Sequence, residues 1–197
     1  MLLKTPEDYY KFLGAVARAS NHGIITSFGV FASIGFDGNI NHKYPSKEYD
    51  FLNDVKDHPD LNMVIGVHGY YSSHPKDVND GQCRHCLAAY ARRTIRIDTH
   101  REYFPNLKWN ILRSLHSKVA VFWNGDKAIA IVGSRNFTNS PNHELSIVVQ
   151  GDEALAVREY AQSLQEMSEP VDQGKLMEFL IEETGSDYCM QIMCGDG

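Results

Sequence analysis

Residues 115–149 have the sequence LHSKVAVFWNGDKAIAIVGSRNFTNSPNHELSIVV, and the fold is decided in this stretch. Residues 116–123, HSKVAVFW, are predicted to form a β-strand. Asn124-Gly125-Asp126 is a pattern that favours a tight hairpin turn, so residues 127–132 are predicted to return beside the first strand. Residues 145–149, LSIVV, are mostly apolar and predict a further strand.

Outward from this hairpin, the apolar patterning predicts helices and strands that alternate along the chain. The predicted helices are residues 6–20, 46–57, 87–93, 152–167 and 174–183. Thr5 is the expected N-cap of the first helix, and the second helix is expected to face solvent. The other predicted strands are residues 24–31, 61–67 and 94–97. Because strands and helices interleave, we expect an α/β protein with a mixed central β-sheet flanked by helices. We expect residues 1–197 to form a single domain with a long loop at residues 68–86 and a polar tail at residues 184–197.

The composition is typical of a globular protein in water, with 43% apolar and 22% charged residues. No stretch contains the roughly 18 consecutive apolar residues that a membrane-spanning helix requires, so a membrane location is not expected. The N-terminal segment has acidic residues and no apolar core. A secretion signal is therefore not expected, and the cytoplasm is the predicted location.

Charge is distributed unevenly along the chain, although the net charge is −6. Residues 84–118 contain eight Lys or Arg and two acidic residues, whereas residues 150–197 contain eleven acidic and two basic residues. Binding to a phosphate backbone requires a local positive field, which the first segment can supply. The predicted nucleic-acid contacts are Arg92, Arg93, Arg96 and Arg113, together with Arg135, which is expected either to point to the opposite face or to lie at the rim of the site. The alternative is a basic face that only contacts solvent.

The hairpin is predicted to gather four polar side chains of complementary chemistry. His116 and Lys118 are two residues apart on the predicted strand and therefore point to the same face. The returning strand ends in Gly133-Ser134-Arg135-Asn136 beside them, and Gly133 is expected to let a ligand approach the backbone closely. An imidazole can attack phosphorus or transfer a proton, while an ammonium and a carboxamide can stabilise charged phosphate oxygens. This combination predicts a phosphodiester substrate.

Three sequence blocks in this stretch resemble the motif of the phospholipase D superfamily. They are His116-Ser117-Lys118, Gly133-Ser134-Arg135-Asn136 and Asn142-His143-Glu144, in the order and at the spacing of that family. The usual motif has an Asp seven residues after the His, where this chain has Trp123. A branch of the superfamily that lacks this Asp comprises metal-independent endonucleases similar to certain type II restriction enzymes, and this chain looks most like that branch.

The resemblance implies a phospholipase D-like DNA endonuclease that needs no metal. His116 would attack phosphorus and form a phosphohistidine, a second histidine would protonate the leaving oxygen, and Glu144 would orient the His116 ring. Lys118, Ser134 and Asn136 would bind the phosphate. Family members use two motifs per active site, and this chain carries one complete motif, a His-x-Lys triplet followed by Gly-Ser-x-Asn. We therefore expect a homodimer whose two-fold axis passes through the site.

A second group of residues has the spacing of half a zinc site. Cys83-Arg84-His85-Cys86 is a Cys-x₂-Cys pattern, and His68 and His74 precede it in the long loop. These residues predict either a structural zinc ion that pins the loop or free thiols, with a redox pair as a third alternative. No cofactor is expected to be required for catalysis.

Two other functions compete with the endonuclease. A lipid phosphodiesterase of the phospholipase D type would require an apolar surface facing a membrane and usually two motifs in one longer chain. A non-catalytic module would keep the fold only to bind DNA or RNA, and the intact His116, Lys118, Asn136 and Glu144 argue against it. The acidic residues after Gln150 fit either a shield over a DNA groove or a contact with another protein.

Overall fold

The computed structural model describes residues 1–28, 47–67, 101, 104–113, 115–137 and 144–170. Within these residues the strands are β1 (Leu2–Leu3), β2 (His22–Ser27), β3 (Leu61–Val67), β4 (Lys108–Arg113), β5 (Val119–Asn124), β6 (Lys127–Gly133), β7 (Ser146–Gln150) and β8 (Glu169–Pro170). The helices that accompany them are α1 (Pro6–Arg18), α2 (Lys47–Val55) and α3 (Asp152–Glu166). The strands form one mixed sheet in the order β1-β7-β6-β5-β2-β3-β4-β8, which confirms the predicted α/β fold.

The centre of the sheet combines parallel and antiparallel strands. β2 is parallel to β3, and β3 is parallel to β4, whereas β5 lies antiparallel to β2 on its other side. β5 and β6 form the predicted hairpin, in which Asn124 pairs with Lys127 and Gly125 has a φ of 56°. A positive φ suits glycine, so the chain turns where its composition predicts a turn.

Apolar layers cover both faces of the sheet. On one face α1 and α2 pack together, and the buried side chains there include Leu13, Leu52 and Phe122. On the other face α3 buries Ala154 and Ala161 against the strands. None of the described helices is long and apolar enough to cross a membrane.

The N-terminal elements match the sequence-based expectations closely, but not at every end. Thr5 caps α1, since its side-chain oxygen accepts a hydrogen bond from Asp8 N at 3.0 Å. α1 ends at Arg18 rather than at residue 20, and β2 begins at His22, two residues before the expected start. β3 spans the predicted residues without a difference.

The helix predicted at residues 46–57 is present, but the expectation that it faces solvent is wrong. α2 is present, but Phe51, Leu52 and Val55 are buried. The ring of Phe51 lies 5.6 Å from the ring of Phe137, so α2 contributes to the core beneath the segment that follows β6. Phe51, Leu52 and Val55 lie at positions i, i+1 and i+4, which is the spacing of one apolar helix face, so the sequence itself contains the signal for burial.

The strand β4 is not indicated by the local sequence. Its residues KWNILR mix charged and apolar side chains without strict alternation. Pairing with β3 on one side and with β8 on the other holds it in the sheet. The predicted helices 87–93 and 174–183, the strand 94–97, the loop 68–86 and the tail 184–197 lie outside the described residues.

Candidate active site

The candidate site lies at the end of the β5–β6 hairpin opposite its turn. β5 begins at Val119, so the His116-Ser117-Lys118 triplet directly precedes the strand instead of forming part of it. Val119 pairs with Val132, and Gly133 N donates a hydrogen bond to the backbone oxygen of Lys118 at 3.3 Å. The triplet and the Ser134–Asn136 segment after β6 therefore meet at the same end of the sheet.

Lys118 lies directly against His116. Its Nζ is 2.7 Å from the backbone oxygen of His116 and 3.1 Å from Nδ1 of the same residue. Burial lowers the pKa of Lys118 below its ordinary value, and the nearby Glu144 carboxylate partly offsets that shift. The His116 side chain is exposed to solvent. A phosphate that reaches this surface would therefore meet an imidazole and a cation that already contact each other.

Phe28, which follows β2, packs against both members of this pair. Its ring centroid lies 4.9 Å from that of His116 and 5.6 Å from Nζ of Lys118. A cation near an aromatic face is weakly attracted to it. Phe28 therefore restricts the positions open to both side chains. Phe28 is not among the predicted site residues, because an aromatic residue inside an apolar run has no specific signal.

Two hydroxyl side chains at the end of β2 hold both segments of the site, the one around the His116 triplet and the one that follows β6. Thr26 Oγ1 accepts a hydrogen bond from Val119 N at 3.1 Å and donates one to Ser117 Oγ at 3.2 Å. Ser27 Oγ accepts a hydrogen bond from Phe137 N at 2.7 Å. Both side chains are buried. Thr26 and Ser27 are also not among the predicted site residues, since a Thr-Ser pair in an apolar strand has no specific signature.

Gly133 is required by the packing of β7. A Cβ at this position would collide with the backbone oxygen of Leu145 and with Oγ of Ser146, and it would lie 2.7 Å from Cα of Ser146. The neighbouring strand fills the space into which the sequence analysis expected a ligand to approach. That explanation of the glycine is therefore corrected: Gly133 lets β6 and β7 approach each other.

Three polar side chains flank the triplet. Ser134 is exposed, and its Oγ accepts a hydrogen bond from Leu145 N at 3.3 Å. Asn136 Oδ1 and Glu144 Oε2 are shielded from solvent and have no hydrogen-bond partner in the described part of the chain. Such unpaired acceptors are unusual in protein interiors. They are available to a proton donor that enters the site or that turns toward it, such as a protonated imidazole.

The resemblance implies that Glu144 orients the His116 ring. Within the described ranges no hydrogen bond joins these two residues, and His116 contacts Lys118 and Phe28 instead. Glu144 interacts electrostatically with Lys118 and with the buried Tyr9. Orientation of the His116 ring by Glu144 therefore stays a prediction.

Among the arginines predicted to bind nucleic acid, Arg135 is buried. Its exposed fraction is 3%, which contradicts a position at the rim and a direct contact with DNA. Arg92, Arg93 and Arg96 lie outside the described residues, as does the side chain of Arg113.

No group of three or more His, Cys, Asp or Glu side chains that could hold a metal ion occurs in the part of the chain that the structure describes. Cys83, Cys86, His68 and His74 lie outside that part, so the zinc hypothesis stays a prediction. The same segment contains His74-Pro75-Lys76, a second His-x-Lys triplet, which has no Gly-Ser-x-Asn block of its own.

Comparison with known proteins finds no matching protein family and no matching curated protein. Among solved structures, the chain is similar to TrmBL2, an archaeal chromatin protein described as showing a novel mode of DNA binding, with 9% identity and a TM-score of 0.47. It is also similar to polyphosphate kinase from Porphyromonas gingivalis, with 14% identity and a TM-score of 0.48. The aligned regions cover 86% and 92% of this chain, but only 53% and 30% of those chains. Neither similarity assigns a function to this chain.

Proposed function

We propose that this protein is a metal-independent phosphodiesterase of the phospholipase D superfamily that cleaves nucleic acid, with DNA favoured over RNA. The proposal rests on one observation: the His116-Ser117-Lys118 triplet and the Ser134–Asn136 segment lie next to each other at one end of the β5–β6 hairpin. A nucleophile, a cation and neutral polar groups in one small region suit an attack on a phosphodiester.

The proposed reaction has two displacement steps. In the first step a ring nitrogen of His116 attacks phosphorus, a P–N bond forms, and the P–O bond to the leaving strand breaks. A second, protonated histidine gives its proton to the leaving oxygen. In the second step water attacks phosphorus, the P–N bond breaks, and the second histidine takes up a proton from the water.

Lys118, Ser134 and Asn136 are proposed to hold the phosphate during both steps. Negative charge builds up on the non-bridging oxygens, and preorganised donors stabilise it where it develops. The Lys118 ammonium supplies the positive charge that a divalent metal ion supplies in other phosphodiesterases. Catalysis is therefore expected to continue in the presence of a chelator.

The second histidine is proposed to come from another copy of the chain. The chain carries one complete motif, and the His116 side chain is exposed, so a second copy can approach it. A two-fold axis beside His116 would bring both His116 rings to one phosphate. Each subunit would then contribute half of an active site.

Charge favours a nucleic acid over a lipid as the substrate. The basic residues of the segment 84–118 include Lys118 itself, and the other seven precede the triplet in sequence. A local positive field attracts a polyanion even when the whole protein is acidic. The resemblance of the motif to the endonuclease branch supports the same choice.

Plasmid nicking in excess EDTA tests this proposal. The wild-type protein should convert supercoiled DNA to the nicked form, and His116→Ala should reduce the rate at least about 10³-fold, because no other group replaces the nucleophile. His22→Ala is the matched control. His22 starts β2 at the end of that strand remote from Phe28, so its loss should leave the rate unchanged.

Cleavage that requires Mg²⁺, or that survives His116→Ala, would contradict the proposal. Phosphatidylcholine is assayed in parallel, and its hydrolysis without cleavage of any nucleic acid would favour the lipid alternative. DNA binding with no cleavage of single-stranded, double-stranded or modified DNA would favour the non-catalytic alternative.

A further inference from the structure

Thr26 and Ser27 are consecutive residues at the end of β2, and both carry a buried hydroxyl group. Consecutive residues of a strand project to opposite faces of the sheet. The two hydroxyl groups therefore reach different surroundings, although they belong to one short piece of backbone. A buried hydroxyl group is unfavourable unless it forms hydrogen bonds, so the partners of each group indicate what it does.

The hydrogen bonds of Thr26 reach the residues on both sides of Lys118. Oγ1 of Thr26 accepts a hydrogen bond from Val119 N at 3.1 Å and donates one to Ser117 Oγ at 3.2 Å. The backbone oxygen of Val119, at 3.4 Å, is a more distant acceptor. One buried side chain thus holds the residue before Lys118 and the residue after it. These two bonds limit the directions that the Lys118 side chain can take.

Ser27 holds the residue that follows Asn136. Its Oγ accepts a hydrogen bond from Phe137 N at 2.7 Å. The Phe137 ring is 1% exposed, and its centroid lies 5.5 Å from that of Tyr10 and 5.6 Å from that of Phe51. Because both the backbone and the ring of Phe137 are held, Asn136 directly precedes a fixed point of the chain.

The end of β2 is therefore shared by both segments of the site. The β5–β6 ladder ends at the pair of Val119 and Val132, and beyond it Gly133 N donates a hydrogen bond to the Lys118 backbone oxygen. The placement of Asn136 relative to Lys118 depends on what holds each segment past that point. A displacement of about 1 Å in a reacting group can lower a rate by about 10²-fold. The two hydroxyl groups thus act on a separation to which catalysis is sensitive.

We propose that Thr26 and Ser27 are positioning residues: Thr26 fixes the direction of Lys118, Ser27 fixes Asn136, and the shared backbone of β2 sets the separation of these two phosphate-binding side chains. This role rests on the proposed function, since it concerns the groups that are proposed to hold the phosphate. Neither hydroxyl group contacts the substrate itself; each acts through the residue that it holds in place.

Double-mutant cycles test the proposal. Thr26→Val keeps the shape of the side chain and removes its hydroxyl group, and it should lower kcat/KM for plasmid nicking at least about tenfold. In the Lys118→Met background the same substitution should change kcat/KM by at most about twofold, because the side chain through which it acts is absent. In the Asn136→Ala background its full effect should remain.

Ser27→Ala should show the reverse dependence, with little effect in the Asn136→Ala background and a full effect in the Lys118→Met background. A substitution that only reduced the amount of folded protein would lower the activity by the same factor in every background. The crossed pairs therefore separate positioning of one side chain from a general loss of stability.

Two further variants complete the cycles. Thr26→Ser retains the hydroxyl group and should recover most of the rate that Thr26→Val loses. Ser20→Ala is the matched control. The Ser20 hydroxyl group donates to the backbone oxygen of Val16 at 2.6 Å beside the start of β2, at the end of that strand remote from the site. Its loss should leave kcat/KM unchanged.

Amide hydrogen exchange measures the two backbone bonds without any substrate. Thr26→Val should accelerate exchange of the Val119 amide and leave that of Phe137 unchanged, because the two bonds are separate. Ser27→Ala should accelerate exchange of the Phe137 amide and leave that of Val119 unchanged.

Equal losses of kcat/KM in all backgrounds, or unchanged exchange of both amides, would overturn the proposal. If no nucleic acid is cleaved, the proposed function fails, and the same cycles are measured on the affinity for orthophosphate by NMR. The same background dependence is expected there, and equal losses would again overturn the positioning role. Wild-type protein that binds no orthophosphate would overturn both the positioning role and the proposed function.

Discussion

The Lys118 ammonium donates a hydrogen bond of 2.7 Å to the backbone oxygen of His116 and lies 3.1 Å from Nδ1 of the same residue. The cation of the site is therefore held by the residue that is proposed to act as the nucleophile. An ammonium has three donors. Lys118 can keep the bond to the His116 backbone and direct its other N–H groups to a phosphate oxygen beside the imidazole.

Loss of the Lys118 charge is expected to impair cleavage strongly. Lys118→Met should reduce kcat/KM for plasmid nicking in EDTA by about 10²- to 10³-fold, because the charge that develops on the phosphate oxygens loses its main partner. Lys127→Met is the matched control, since Lys127 is exposed beside the hairpin turn at the other end of β6. Equal effects of the two substitutions would argue against a role of Lys118 in the transition state.

Subunit mixing tests the proposed half-site. If each site needs one His116 from each subunit, the activity of randomly mixed wild-type and His116→Ala chains should fall with the square of the wild-type fraction. Sedimentation should show a dimer at the assay concentration. A linear fall, or full activity of a monomer, would contradict a shared site. Strong loss of activity in His74→Ala within a monomer would instead assign the second histidine to His74-Pro75-Lys76.

Gly133 should be intolerant to substitution for a structural reason. Gly133→Ala places a Cβ against the backbone of Leu145 and Ser146, and it should destabilise the protein by about 1–3 kcal/mol or more through overpacking. Gly125→Asn is the control, because its position is open and Asn tolerates a positive φ. Urea unfolding measures both variants. Similar stability of the two would show that β7 can move to accept the extra carbon.

His58 is expected to make the fold less stable in acid. Burial lowers the pKa of His58, and the nearby Asp60 carboxylate partly offsets the shift. Nδ1 of His58 accepts a hydrogen bond from Asp60 N at 3.1 Å, which requires that nitrogen to be unprotonated. The pKa in the folded chain is therefore below that of the unfolded chain. The unfolded chain takes up the proton first, so stability falls once the pH drops below about 6.5.

Thermal unfolding between about pH 7.5 and pH 5.5 measures this effect. His58→Asn retains an acceptor near the position of Nδ1 and cannot be protonated in this range. Its Tm should therefore fall less than that of the wild type over the same interval. An equal fall in both proteins would assign the acid sensitivity to other groups.

The local sequence predicted many of the strands, helices and turns that position the site. Asn124-Gly125-Asp126 indicated the hairpin, the apolar run 61–67 coincided with β3, and Thr5 capped α1 as expected. These features depend on neighbouring residues, because turn geometry, side-chain alternation and capping act over a few positions. The pairing of the His116 triplet with Ser134–Asn136 followed from the same hairpin.

Only the tertiary structure decided which residues surround each side chain of the site. It buried Arg135, placed Glu144 within electrostatic reach of Lys118, and showed that the packing of β7 requires Gly133. It also buried the apolar side of α2 in the core. Each of these outcomes depends on elements that are distant in the chain: the register of β7 beside β6, and the position of α1 over the sheet. Local patterns fix which residues can form a strand or a helix, but the neighbours of a side chain are set by long-range packing, and these neighbours determine its charge and its role.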